Sequence, residues 1–555
     1  MEERPGKVSE ARAGLAAALA NAGVRRLQLA WAGCASADLA QDVALAVHAF
    51  GLGGVGGVGV MGLIRSLPAA VVGPLAAGVA DRFPRQRVLL AVLLVRAALL
   101  SALAWAVAAG APLVAVYALA AVDSSVYTLY WPAQSALLPE LAGSAGELTA
   151  SNAAATLLEN VGTLVGPALA GVLLAVSGPD MVFVASAGLT GAAALMATRI
   201  EATPKAAPAG TEPAGNTLLG GFRSLLADPA PRLVALLYLA HTVCMGALSV
   251  LLVAAAIDLL GLDDSGVGFL GAALGAGGIA GSVAAFGLVG HPRLTRPFRL
   301  ALVSWAAALA TIVVVPRVPV AAAALVVAGG CTAVVDVCAL NVLQRIVPER
   351  LLARVLGVVE GSWWAMFGLG SLAAAPLVEA VGVRPALAVT GGVLAAVSLL
   401  GGAGLGSVDV RARAPEAQLA ALRGVPLFAA QPPLALERLA VELVPVAVSP
   451  GEAVVTRGES GDRFYIVEEG TLRVLAPQGG ADAELGPGDW FGEIALLDDV
   501  PRTATVRAVS GARLFALDRD RFLAAVTAHP HNREAALGGD GRARIGPLGG
   551  GGHGG

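Results

Sequence analysis

The sequence predicts a mainly helical, multi-pass membrane part with twelve transmembrane helices in two six-helix halves, followed by an all-β, jelly-roll-like soluble domain. Three observations predict it. The chain of 555 residues is 56% hydrophobic and 14% charged, against roughly a quarter charged in an ordinary soluble protein. Apolar runs of spanning length, roughly 20 residues, recur up to about residue 405. After them come short alternating strands punctuated by Gly and Pro.

Taken in order, six apolar segments are expected at 27–50, 57–80, 88–109, 113–134, 152–177 and 181–198. A polar stretch at 199–232, rich in Pro, Ala and Gly, reads as a flexible linker carrying one amphipathic piece, LLGGFRSLLA. Six more segments follow at 233–256, 265–290, 298–315, 319–342, 355–381 and 385–404. Lys and Arg gather at alternate ends. Arg25 and Arg26 precede the first segment, Arg82, Arg85 and Arg87 follow the second, Arg199, Lys205, Arg223 and Arg232 lie in the linker, and Arg411 and Arg413 follow the last. The positive-inside bias then puts both termini in the cytoplasm of a cell-membrane protein. A loop at 135–150, carrying Glu140 and Glu147 and no base, breaks that bias. The N-terminal MEERPGKVSE has no apolar core before a cleavage site, so a cleaved signal peptide is not expected.

Two motifs in the apolar part carry a resemblance. GVADRFPRQRVLL, from Gly78 to Leu90, resembles the loop signature of the major facilitator superfamily at Gly78, Asp81, Arg82, Arg85 and Arg87, with Pro84 in place of its second Gly. GTLVGPALAG, from Gly162 to Gly171, resembles that family's antiporter motif at Gly162, Gly166, Pro167 and Gly171, with Ala170 in place of a Gly. Six plus six helices around a cytoplasmic loop fit the same family. The resemblance implies a secondary transporter of the exporter branch, efflux driven by protons, and a conformational latch made by the loop signature. The other reading of the Gly162–Gly171 stretch is a generic small-residue packing face. The fourth segment carries Asp123 where proton-coupled members have a central Arg, which weakens that carry-over.

Charges at membrane depth are functional candidates. At 1.5 Å per residue, Asp38 lies ~17 Å into the first segment, and Asp42 follows one turn later on the same face. Arg65 lies ~12 Å into the second segment, at the depth of Asp42. An Asp42–Arg65 pair is expected, with Asp38 as the freer carboxylate and proton carrier. Asp123 and Glu159 complete the transport candidates. Arg96, Glu159, Asp336 and Glu360 are expected nearer the cytoplasmic side as packing or gating pairs. His241 is expected to be hydrogen-bonded.

The limits expected are 1–405 for the membrane domain (halves 1–198 and 233–405), 406–425 for a linker, 426–530 for the roll and 531–555 for a disordered Gly-rich tail. In the roll, LFAAQPPLALERLAVEL reads as helical, VPVAV, EAVVTRG, RFYIVEEG and TLRVLAP as strands, and DRDRFLAAVTAHP as a closing helix. GDWFGEIALLDDVPRTATVRA resembles the phosphate cassette of cyclic-nucleotide-binding domains. The resemblance implies that backbone N–H groups about Gly492, Glu493, Ile494 and Ala495 face a cyclic phosphate. It also implies that Arg502 balances the phosphate charge, Glu493 accepts from the ribose 2′-hydroxyl, and Thr503 offers a hydroxyl to a guanine or the phosphate. The cyclic nucleotide, cAMP or cGMP, is the one regulatory ligand implied.

The remaining function classes are constrained by what the sequence carries. A net charge of −3 does not favour nucleic acid. Cys34, Cys244, Cys331 and Cys338 have no metal-ligand spacing, so no metal is expected. No acid/base constellation, GxxxxGK[ST] loop, pore loop or helix-turn-helix is present, so an enzyme, ATP drive, a channel and a transcription factor are not expected. The expected partners are the lipid bilayer, a small-molecule substrate and the nucleotide, and no oligomeric state is specified. The rival reading is a nucleotide-binding membrane receptor or scaffold whose membrane domain does not transport; the preserved GVADRFPRQR argues against it.

Overall fold

The computed structural model describes residues 20–527 apart from 83, 143–144, 201–213, 289–292, 413–415, 429–430, 432 and 476–481. The expected Gly-rich tail lies outside the described residues. The chain divides into two compact units, Met1–Asp409 and Val410–Gly555.

The first unit is helical. α1 runs over Ala22–Arg82, 61 residues, and absorbs both of the first two expected segments. It turns back at Gly54, whose φ of 56° and ψ of −152° are not helical. The two legs meet so closely beyond this turn that a Cβ on Gly57 would lie 2.5 Å from the Ala49 carbonyl oxygen. The glycine run GLGGVGGVG therefore makes a kink where a loop was expected, because absent side chains let the legs touch. Tyr117 Oη donates to the Gly57 carbonyl at 2.6 Å, satisfying a backbone group near the turn.

α2 (Arg85–Ala108) is followed by α3 (Leu113–Tyr127) and α4 (Tyr130–Leu141), with α5 starting at Ala145 and ending at Val176. The acidic loop expected at 135–150 is thus mostly helix. Pro132 falls in the first turn of α4, where a missing N–H costs little. Arg85 Nη1 reaches across to Glu140 Oε1 at 2.6 Å and to the Ala136 carbonyl at 2.9 Å. The acid that broke the positive-inside pattern is therefore neutralised by the loop signature's own arginine.

α6 (Pro179–Ala197) ends the first set. The linker holds α7 (Ala214–Ala227), and α8 (Pro229–Ala254) starts one residue later, with Asp228 accepting from the Ala230 N–H at 3.2 Å as its cap. α8 passes into a π turn at Ala255–Leu259. α9 (Asp264–Phe286), α10 (Thr295–Val314), α11 (Val318–Ile346), α12 (Glu349–Val381) and α13 (Val383–Ala412) follow. Among the described residues, eleven helices are long and apolar enough to cross a membrane; the first, Ala22–Pro68, is 47 residues long. The two sets of helices meet where α5 packs on α9 and α1 on α12.

The second unit opens with α14 (Glu416–Gly424), a 3-10 turn (Pro426–Phe428) and α15 (Pro433–Glu442). Its strands are β1 (Val444–Val448), β2 (Ala453–Val455), β3 (Arg463–Glu469), β4 (Leu472–Leu475), β5 (Ala483–Leu485), β6 (Trp490–Phe491), β7 (Thr505–Ala508) and β8 (Ala512–Asp518). They form two antiparallel sheets of four, ordered β1-β8-β3-β6 and β2-β7-β4-β5. α16 (Glu493–Leu497) and α17 (Arg519–Thr527) complete the unit.

Burial explains why β3 reads FYIV without alternation. Tyr465 and Val467 point between the sheets with Leu472, Val506 and Leu514. Phe464 and Ile466 point the other way, under the helices, where Phe464 stacks on Phe522 at 4.8 Å and meets Phe428 edge-on at 5.9 Å. A strand buried on both faces is apolar throughout. The same second core takes Leu422 of α14. Most of the expected linker at 406–425 is therefore helix: α13 runs on to Ala412, and α14 belongs to the packed unit.

Candidate functional sites

In the first unit, α1, α2 and α3 bring five charges together. Arg65, on the second leg of α1, contacts Asp42 at 2.8 Å and Asp38 at 3.0 Å on the first leg. Arg96 of α2 contacts the same Asp38 oxygen at 2.6 Å and forks onto Asp123 of α3 through two bonds of 3.0 Å. Gln41 donates to Asp123 at 2.9 Å, the Tyr127 ring lies 4.1 Å from the Arg96 guanidinium, and Arg96 Nη1 reaches Cys34 Sγ at 3.3 Å. The Arg96 and Asp123 side chains are fully buried, whereas Asp42 is 41% exposed. Three carboxyl groups thus face two guanidiniums.

The Asp42–Arg65 pair stands as expected. The freer carboxylate is Asp42, however, and Asp38 sits between both arginines. Arg96 also joins this network, as a buried ion pair. α2 starts at Arg85, three residues before the expected segment, which puts Arg96 ~16 Å along it. The signal for its importance was visible as one arginine inside the apolar run VLLVRAALL. Gln41, Tyr127 and Cys34 were not signalled.

Glu159 lies on α5 and is exposed; its electrostatic neighbours are Glu360 of α12 and Asp336 of α11. It therefore groups with acids of the second set of helices and not with Asp38. His241 is buried, with Nε2 at 3.5 Å from Thr332 Oγ1 and its ring edge-on to Trp305.

The glycines of α5 sit at helix contacts. A Cβ on Gly162 would lie 3.2 Å from Ala35 Cβ, and one on Gly166 would lie 2.7 Å from the Ser36 carbonyl of α1. Gly171 faces α9, where a Cβ on Gly268 would approach the Gly171 nitrogen to 2.4 Å. Pro167 is buried between them, with its ring 3.1 Å from where a Cβ on Gly271 would stand. Of the loop signature, Arg85 is ion-paired as described and Arg87 is exposed. Gly78, Asp81 and Arg82 lie on the last turns of α1, where the side chains are outside the described residues.

In the second unit, Gly492 takes a φ of 98° just before α16, which starts at Glu493. A side chain at that glycine would be strained by the φ itself, and a Cβ would lie 3.0 Å from the Arg463 carbonyl oxygen and 2.7 Å from Arg502 Nη1. Arg502 is 4% exposed. Its guanidinium donates to the Arg463 carbonyl at 2.7 Å, the Gly492 carbonyl at 3.2 Å and Asp462 Oδ1 at 3.4 Å. Its backbone is tied to Glu459 and Gly458 by bonds of 2.7 and 2.9 Å. Tyr465, stacked on Phe491 at 5.0 Å, lies 6.0 Å from the guanidinium. Burial pushes the Tyr465 hydroxyl above its ordinary range, with Asp462 adding to the effect, so this ring stays neutral. Ile494 is half-buried, Ala495 is buried and Thr503 is exposed. The result is a cation held in place beside the start of α16 by carbonyls and one exposed carboxylate, an arrangement able to meet a small anion.

Comparison with known proteins identifies both units. The Major Facilitator Superfamily profile matches residues 31–358. The Cyclic nucleotide-binding domain profile matches residues 445–529. A cAMP-dependent protein kinase regulatory subunit of Yarrowia lipolytica is 42% identical over 102 residues, which are 18% of this chain and 27% of that protein. One of Dictyostelium discoideum is 45% identical over 91 residues, 15% of this chain and 28% of that protein. The human potassium/sodium hyperpolarization-activated cyclic nucleotide-gated channel 3 is 39% identical over 111 residues, 20% of this chain and 14% of that protein. The chain thus covers under a third of each of these relatives. It belongs to the major facilitator superfamily, as a transporter domain joined to a C-terminal cyclic nucleotide-binding domain.

Proposed function

We propose that this is a secondary active transporter that exports a small amphipathic molecule in exchange for protons, and that cytoplasmic cAMP or cGMP sets its rate. Counting the two legs of α1 as separate spans, and α3 with α4 as one, gives twelve spans in two halves around the α7 linker. The arginine-rich ends then face the cytoplasm together with both termini. The nucleotide-binding domain begins in this reading with α14.

The observation that carries the regulated reading is a cyclic nucleotide-binding domain with a buried, fixed Arg502 on the same chain as the transporter domain. Arg502 is already fixed beside Gly492 and α16. In the proposed complex it turns its fork to the cyclic phosphate, assisted by N–H groups between Gly492 and Ala495. Glu493 takes the ribose 2′-hydroxyl, and Thr503 meets the phosphate or the base. The kinase relatives are named cAMP-dependent, which favours cAMP. For coupling, a network with one carboxyl more than it has guanidiniums supports a proton as the balance, with Asp42 the end open to exchange. A nucleotide changes transport only by binding one transport state better than another.

Calorimetry of the full chain in detergent with cAMP and with cGMP tests the ligand. The wild type is expected to give heat with at least one of them and the Arg502→Lys variant to bind it far more weakly; no heat from the wild type with either nucleotide rejects the reading.

A further inference from the structure

The linker helix α7 has a face that neither transport nor nucleotide binding uses. It crosses α12 at close range: a Cβ on Gly221 would lie 2.5 Å from the Arg354 carbonyl oxygen and 2.8 Å from Val358. Leu225, one turn on, is buried. Beside this seam, Phe222 and Leu226 are 47% and 59% exposed and one turn apart. Arg223 between them is exposed, and Arg232 donates to the Leu226 carbonyl at 2.9 Å from the exposed start of α8. The apolar spans of α8 and α12 begin at Pro229 and Arg354, so α7 rests where two spans begin. On α8, Leu236 is likewise exposed, at 58%.

We propose that α7 is an interfacial helix that docks on an anionic lipid surface. Phe222 and Leu226 enter the boundary between headgroups and acyl chains, and Arg223 and Arg232 take lipid phosphates. Two features select lipid as the occupant: the level at which α7 sits, and arginines placed beside its exposed apolar pair. α12 also packs on α1 of the other half, where a Cβ on Gly62 would lie 2.5 Å from Ser371 Cβ. α7 therefore joins the lipid surface to a helix at the junction of the halves.

The test places a nitroxide at Phe222→Cys, Leu226→Cys or Arg223→Cys in the full chain, with its four native cysteines changed to Ala. Each protein is reconstituted into vesicles of phosphatidylcholine with phosphatidylglycerol, or of phosphatidylcholine alone. In the anionic vesicles, labels at Phe222 and Leu226 are expected to collide several-fold more with dissolved oxygen than with a water-soluble nickel complex, and the label at Arg223 to show the reverse. That preference is expected to shrink in neutral vesicles, and in anionic vesicles when Arg223→Gln and Arg232→Gln accompany the Phe222 label. Labels at Phe222 and Leu226 as open to nickel as the one at Arg223 would overturn the proposal. Shielding from both reagents would overturn it too, by showing a protein partner on this face. An undiminished preference in neutral vesicles would overturn the anionic part.

Discussion

Arg96 and Arg502 are both buried arginines, and they are held in opposite ways. Arg96 lies between two carboxylates, Asp38 and Asp123, with its side chain wholly buried. Arg502 is held by two backbone carbonyls and by Asp462, whose side chain is 73% exposed. At membrane depth a lone charge is costly, so Arg96 is compensated by full charges from its own chain. At the edge of the roll, backbone dipoles and a solvated carboxylate hold the cation instead. The difference separates a charge balanced within its own chain from one that, in the proposed reading, meets the nucleotide.

The sharpest way to break this contrast is to remove Arg96. Arg96→Gln leaves Asp38 and Asp123 facing each other, and breaking a buried pair costs about 3–5 kcal/mol. The expected result is a large fall in the thermal midpoint of the purified chain in detergent; an unchanged midpoint would mean that the network is not structural. Arg502→Lys comes next. It keeps the charge and loses the fork, and it is expected to cost about 2–4 kcal/mol of nucleotide binding while moving the thermal midpoint less than Arg96→Gln does. Calorimetry and thermal unfolding of the same sample separate the two effects. Gly166→Val tests whether the α5 motif packs against α1. It is expected to cost about 1–3 kcal/mol by overpacking, read as a lower midpoint with nucleotide affinity unchanged. The smallest effect belongs to Asp462→Asn. Its exposed pair with Arg502 is worth about 1 kcal/mol or less, and the change is expected to tighten nucleotide binding by no more than that amount.

How much of this was legible in the sequence depended on what fixed each feature. The Asp42–Arg65 pair could be found by counting rise along two helices joined by a tight turn. The place of Arg96 could not, because it depends on where α2 begins and how it lies against α1 and α3. Glu140 was misread as part of a loop, since only the folded chain brings Arg85 of α2 onto α4. In the roll, Val444–Val448 and Arg463–Glu469 were legible as apolar strands between turns, while Ala483–Leu485 and Trp490–Phe491 are too short to carry a pattern. The cassette was the most legible region, because a φ that favours glycine at Gly492 and a buried arginine ten residues on leave few residue choices. Residues 406–425 looked like a linker because a nine-residue helix such as α14 is defined more by the core it enters than by its own composition.

The central claim is that the nucleotide held by Arg502 governs transport. It is tested most directly by the flux of a transported compound, chosen by screening in cells that lack their own exporters, through vesicles holding the full chain. cAMP or cGMP is added on the side of the nucleotide-binding domain, for the wild type and for Arg502→Lys. A nucleotide-dependent change of flux is expected in the wild type and none in the variant, with equal flux for both when no nucleotide is present. Equal wild-type flux with and without saturating nucleotide, while calorimetry on the same protein shows binding, would contradict it.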